Sequence, residues 1–313
     1  MSLVSLGEAV GGVKAVMRRQ ERDALLVPIM TRFAERIGRM WLAQGRIFLA
    51  EMKKRREQIP LAESANLDSV FEPIFRDVFV DTESFRRDLE RHLIEAYGTG
   101  AVQAADKMGF TGSFDMKNHR AVRRIEEQGA KLITRVNSTT KARIQEIIAD
   151  GAAEGKSYSY IARQIKGRFA EFAVPMPQKH IVNRATLVAV TEVGQAYMDG
   201  NNQVYDLFMR MGMPMVKRWD TMGDERVSDG CAANEEQGWL HYDDMFASGD
   251  PSPLRFPGCR CGIESEMYDP AVHGEELGQR FPGFGDQDWD HIYDRRKDDL
   301  AQALDAQGLK VDR

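Results

Sequence analysis

Apolar residues recur at helical spacing along the first hundred positions. Over residues 20–58, Leu25, Ile29, Phe33, Ile37, Met40, Trp41, Ile47, Phe48 and Met52 fall near a 3.6-residue period with charges between them. This pattern predicts one long amphipathic helix, ended by Pro60. A second helix is predicted over 67–96, with Phe71, Ile74, Phe75, Val78, Phe79, Phe85, Leu89 and Leu93 on a recurring face. Gly98 and Gly100 are expected to loosen or end it. A helix pair follows. In the first, Ser138 or Thr139 caps a stripe of Ile144, Ile147 and Ile148 that stops in a left-handed turn at Gly151. In the second, Ser157 opens a turn carrying Tyr160, Ile161 and Ile165. Pro175 and Pro177 then break the chain before a long helix over Ile181–Met209.

The texture changes after Pro214. MVKRWD alternates as a strand does, TMGDER reads as a polar turn, and SDGCAANEEQG as a short capped helix. GWLHY is a further strand, residues 245–258 form a Gly/Pro/Ser loop, and RCGIESEM returns to alternation. The expected fold is mainly α with a small α+β domain. A helical N-terminal region (1–136) precedes a domain of helices and short strands (137–269) and a tail (270–313). That tail carries Phe281, Phe284, Trp289 and Tyr293, then a charged helix around Asp298–Gln307.

Composition narrows the function classes. A net charge of −5 gives no global sign of nucleic-acid or membrane binding. The longest apolar run, Ala24–Met30, is too short to span a bilayer, and no secretory leader is read at the N-terminus. Three cysteines argue against a disulfide scaffold and for a reducing compartment. Basic residues gather locally at Lys53–Arg56 and again at Arg120, Arg123, Arg124, Lys131 and Arg135. The second group reads either as a DNA-facing patch or, with Glu126 and Glu127 beside it, as a solvated helix face.

Chemistry concentrates in two places. Cys231, Cys259 and Cys261 could hold Zn²⁺, given a fourth ligand; His241 is the nearest imidazole, and Asp224 or Asp229 are weaker donors. The alternative is a cluster of packed thiols with no cofactor. RWDTMGDERVSDGC supplies Asp220, Asp224, Glu225 and Asp229, which could serve a metal-dependent hydrolase or transferase. The reading preferred over that is a turn stitched by Asp–backbone bonds and an Arg226 ion pair, with Glu192 approaching Arg226. Walker, Gly-x-Ser-x-Gly and His-Glu-x-x-His signatures do not occur.

The order of these pieces resembles a known family. The helix pair from Thr139 to Phe169 leads to Thr191-Glu192 and then Trp219. Next come Asp224-Glu225-Arg226, Cys231 and Phe256-Pro257-Gly258-Cys259-Arg260-Cys261. Over about 137–267 the chain is similar to the phage Mu F-like minor head proteins, also called head morphogenesis proteins. The resemblance marks Glu192, Trp219, Asp224, Arg226, Pro257 and Arg260 as structural signature positions. It implies a non-enzymatic virion protein near the portal vertex, supporting head assembly and DNA packaging or ejection. Its implied partners are the portal, a scaffold or major capsid protein, and phage DNA, with no membrane. Two positions depart from the pattern. Phe256 stands where the family usually has histidine, and Ser228 stands where some members have the first cysteine of a Cys-x-x-Cys pair.

Overall fold

The computed structural model describes residues 21–55, 72–76, 78, 82–117, 122–123, 125, 141–151, 154, 156, 160–165, 184–281 and 288–312. It is mainly helical with a few short antiparallel strands, as the periodicity predicts. Pro60, Ser138, Thr139 and Ser157, among the expected caps and breaks, lie outside the described residues.

Helix α1 spans Glu21–Lys54. Its apolar face, Leu26, Ile29, Met30, Phe33, Ile37, Trp41, Phe48 and Met52, is buried. These positions are covered within the chain, whereas Leu25 and Ile47 of the predicted stripe are exposed. Helix α2 spans Thr82–Lys107 and α3 spans Arg184–Arg210. Gly98 and Gly100 do not end α2, contrary to expectation. A Cβ on Gly100 would overlap the Tyr197 carbonyl oxygen of α3, and one on Gly200 would overlap the Tyr97 carbonyl of α2. The two helices cross backbone to backbone at this glycine pair, and the contact outweighs the cost of glycine inside a helix. Gly98 lies under the Phe114 ring, 2.5 Å from a built Cβ.

Residues 141–151 and 160–165 are helical, with Ile144, Ile148, Ile161 and Ile165 buried. Gly151 stays in the helix and makes no left-handed turn. Glycine is required there by the Ile161 side chain, 2.6 Å from a built Cβ.

The chain forms two compact units that do not follow chain order. One comprises Met1–Val16, Met30–Arg91 and Arg124–Ala189; the other comprises Met17–Ile29, His92–Arg123 and Val190–Arg313. The unit boundaries at 29/30, 91/92 and 189/190 fall inside α1, α2 and α3, and the tail beyond 269 belongs to the second unit. In the first unit Phe48 packs on Phe75, and Arg36 and Lys141 pair with Asp88 and Glu72.

In the second unit, strand β1 (Gly112–Phe114) follows α2. Strand β2 (Met215–Asp220), helix α4 (Asp229–Glu236), strand β3 (Leu240–His241) and strand β4 (Gly262–Met267) then follow α3. Three more helices come next: α5 (Pro270–His273), α6 (Glu275–Gly278) and α7 (Trp289–Ala306). Strand β5 (Leu309–Val311) closes the unit. The sheet order is β3-β2-β4, with Trp219 opposite Ile263 and Asp220 opposite Gly262. β1 pairs with β5 separately. Ala101, Ala104 and Met108 of α2, Tyr205 and Phe208 of α3, and Leu300, Leu304 and Leu309 from the tail share one core.

Candidate functional site

The site forms where the loop over 253–261 returns to α3 and α4. Ser228 starts α4 with extended backbone, and its hydroxyl accepts the Cys231 N–H at 3.4 Å. This cap places Cys231 in the first turn, facing inward. On the other side, the Cys259 N–H donates to the Phe256 carbonyl at 3.0 Å, and Gly258 takes φ +84°, which only glycine adopts freely. The Gly258 N–H donates to Thr191 Oγ1 at 2.9 Å, which fastens the turn to α3. In the Thr191-Glu192 pair it is thus the threonine that holds the loop; Glu192 is buried beside it on α3.

Cys231, Cys259 and Cys261 converge. Their sulfur atoms all lie within 4.8 Å of one another, and all three residues are buried and free of disulfides. Hydrogen bonds from Cys259 and Cys261, then from Ser228 and Arg255, hold the Cys231 thiol below the ordinary thiol range. The two donors are pushed up in turn by Cys231.

Arg255 reaches the cluster along a polar chain that the sequence did not reveal. Buried Asn234 bonds Ser248 through both its amide groups, at 2.8 and 3.0 Å. Ser248 donates to Asp250 at 2.7 Å, and Asp250 accepts Arg255 Nε at 2.9 Å. Glu235 similarly takes both the N–H and the hydroxyl of Thr221, at 3.0 and 2.7 Å. These contacts fix the Gly/Pro/Ser loop against α4 and the end of β2. Polar residues in a loop carry no periodicity, so nothing in their spacing marks them.

Within the acidic turn, Asp224 is committed to structure. Asp224 accepts two bonds from the Arg260 guanidinium, at 2.9 and 2.7 Å, and a third from the Arg226 N–H at 3.1 Å. Arg260 is buried, and its guanidinium holds the Asp224 carboxyl below the usual carboxylate range. The ion pair expected of Arg226 therefore belongs to Arg260. Among the described residues Arg226 forms no ion pair and is exposed. Arg22 of α1 donates to the Arg260 carbonyl at 2.6 Å.

Trp219 is buried edge-on against Phe246, with ring centroids 4.9 Å apart. Phe256 and Pro257 are exposed. His241 is not brought to the cysteines. It lies on β3, with its ring 4.7 Å from that of Phe281 and its Nδ1 accepting the Asp243 N–H, so the strand register directs it elsewhere. Of the basic residues singled out, Arg123 is exposed, whereas Arg120, Arg124, Lys131 and Arg135 lie outside the described residues.

A helix pair leading to a sheet closed by a Cys-x-Cys turn, locked by an Asp–Arg fork, is the arrangement that the motif order implies for a phage head protein. Residues 142–264 match the family described as Phage Mu protein F like protein, and over this segment the chain is similar to that family. The match ends inside β4 and takes in every signature residue named above. No curated protein and no solved structure matches the chain. Among the described residues, no helix is long and apolar enough to cross a membrane.

Proposed function

We propose that this protein is a phage minor head protein that acts in head morphogenesis at or near the portal vertex. There it supports DNA packaging or delivery as a component of the virion. The observation that carries this reading is the family match over 142–264, which spans the residues that build the site. The site's chemistry agrees with a scaffolding role. Asp224 of the acidic turn is occupied by Arg260, and the nearby carboxylates of Asp250 and Glu235 by Arg255 and Thr221, so these three groups serve as fastenings. The portal is the principal partner in this reading, with scaffold or major capsid protein beside it. DNA contact, where it occurs, is local to Arg120, Arg123, Arg124, Lys131 and Arg135 and falls steeply with salt.

The test is made in the phage or prophage that encodes the chain. With the gene deleted, heads should assemble aberrantly or lack packaged DNA. In the wild type, the protein should sediment with purified heads and co-purify with the portal. Normal, DNA-filled heads lacking the protein would overturn the proposal. Charge reversal of Arg120, Arg123 and Arg124 should weaken DNA retention across a salt series; unchanged retention removes DNA from the list of partners.

A further inference from the structure

Three thiols from two separate chain segments meet at one point, and the head-protein reading makes no use of them. Cys231 comes from the first turn of α4, and Cys259 and Cys261 from the turn that enters β4. We propose that the sulfur atoms of Cys231, Cys259 and Cys261 bind one thiolate-preferring divalent cation, Zn²⁺ in the cell. The fourth position, on the Ser228 side, is taken by water or a small exogenous donor. The inference stands independently of the proposed role in the phage head.

Four features carry it. The first is spacing: tetrahedral zinc with Zn–S bonds of about 2.3 Å needs sulfur–sulfur edges of ~3.8 Å. Sulfur atoms already within 4.8 Å of one another need close up only by about 1 Å.

The second is preorganisation. The Ser228 cap fixes Cys231, and the Gly258 N–H bond to Thr191 Oγ1 fixes the turn that bears the other two. The backbone N–H groups of Cys261 and Arg255 point at Cys259 Sγ. Such amide donors orient a thiolate ligand and disperse its charge.

The third is charge. Three thiolates and one divalent cation leave a single negative charge, and the Arg255 side chain bonds Cys231 Sγ beside it. Binding displaces the protons still held on the sulfur atoms, with no change in oxidation state.

The fourth is the weakness of the disulfide alternative. Cys259 and Cys261 are too near in sequence for good disulfide torsion, and a bridge from Cys231 to either would strand the third buried thiol. The surrounding carboxylates are already paired, so no general base is poised at the metal. The ion acts as a clamp between α4 and β4.

The full-length chain, purified under reducing conditions, should carry about one zinc per chain by mass spectrometry. Replacing zinc with Co²⁺ should give a thiolate-to-cobalt charge-transfer band. Cys231→Ser, Cys259→Ser and Cys261→Ser should each weaken that band by about one third, one of three thiolates being lost. Should those variants fail to fold, Ser228→Cys decides. It supplies a fourth thiolate, so it should strengthen the band by about one third and slow zinc loss to a chelator. The proposal is overturned by a reduced chain that takes up neither metal, by a cobalt complex without the band, by a Cys231 disulfide in the reduced, folded protein, or by an unchanged spectrum in Ser228→Cys.

Discussion

Arg260 and Asp224, thirty-six positions apart, meet through two parallel hydrogen bonds in a nearly closed setting, the side chain of Arg260 being only 5% exposed. The arginine also sits between two cysteines in sequence, so the fork and the thiol cluster share one turn. Removing the carboxylate leaves a buried guanidinium without its counter-ion. Asp224→Ala is expected to cost about 3 kcal/mol, read as a lower urea midpoint at unchanged slope. Arg226→Ala, two positions past Asp224 and exposed, should change stability by less than about 0.5 kcal/mol.

The same pair sets an acid limb. The Arg260 guanidinium depresses the folded pKa of Asp224 below its unfolded value of about 3.9. Its stabilisation is therefore complete above that value and is lost as pH falls through it toward the folded pKa. Unfolding free energy measured at a series of pH values should drop on the acid side. The drop should be shallower in Asp224→Asn, which no longer titrates.

Lys217 makes an opposite prediction at alkaline pH. Its ammonium is enclosed between the rings of Tyr242 and Phe246 and donates to the Pro251 carbonyl at 2.8 Å. Burial lowers its pKa to about 8. Between that value and the unfolded value of about 10.4, the unfolded chain binds more protons, so stability rises with pH. Tyr205 and Tyr242, raised by burial, oppose the rise once unfolded tyrosines begin to ionise near pH ~10. Cys259 and Cys261, raised in the fold, oppose it too, so the result is read as a difference: the stability of the wild type relative to Lys217→Met should rise from about pH 8 to 10.

The helix crossing can be tested with one methyl group. Gly100→Ala must push α2 away from the Tyr197 carbonyl and should cost about 1–3 kcal/mol. Gly38→Ala, on α1 with nothing within 4 Å of a built Cβ, should instead stabilise the protein by about 0.5–1 kcal/mol. Thermal midpoints that move in opposite directions would confirm the contrast.

Thr191 provides a local probe of the site. Thr191→Val keeps the shape of the side chain but removes the acceptor of the Gly258 N–H. A loss of about 1 kcal/mol is expected, and the turn over 256–259 should open more often. In metal-free protein, Cys259 should then react faster with a thiol reagent than in the wild type, by more than the change in global unfolding accounts for.

Local chemistry was legible in the sequence wherever one segment decides its own structure. Strand β2 lies where MVKRWD alternates, and Ser228 caps α4 as its position suggests. The glycines were misread because their reasons are tertiary. Gly100 answers to Tyr197 and Gly151 to Ile161, and neither neighbour is visible from spacing. Long-range pairing escaped for the same reason. Asp224 had two arginines to choose between, and only the return of the 253–261 loop shows that Arg260 prevails. The bond from Arg22 to the Arg260 carbonyl, across 238 positions, has no sequence signal at all. The convergence of the cysteines was readable from their scarcity, whereas the exclusion of His241 required the strand register.

The second unit draws its core from chain segments far apart, and Leu300, Leu304 and Leu309 are among its most deeply buried side chains. During synthesis, α2 and α3 leave the ribosome with apolar faces that these late residues help to cover. The unit can reach its final packing only after Val311 has emerged, a delay inherent in contacts of such high sequence separation. Until then a nascent chain exposes sticky surface, so the order in which the segments are synthesised bears directly on how this unit packs.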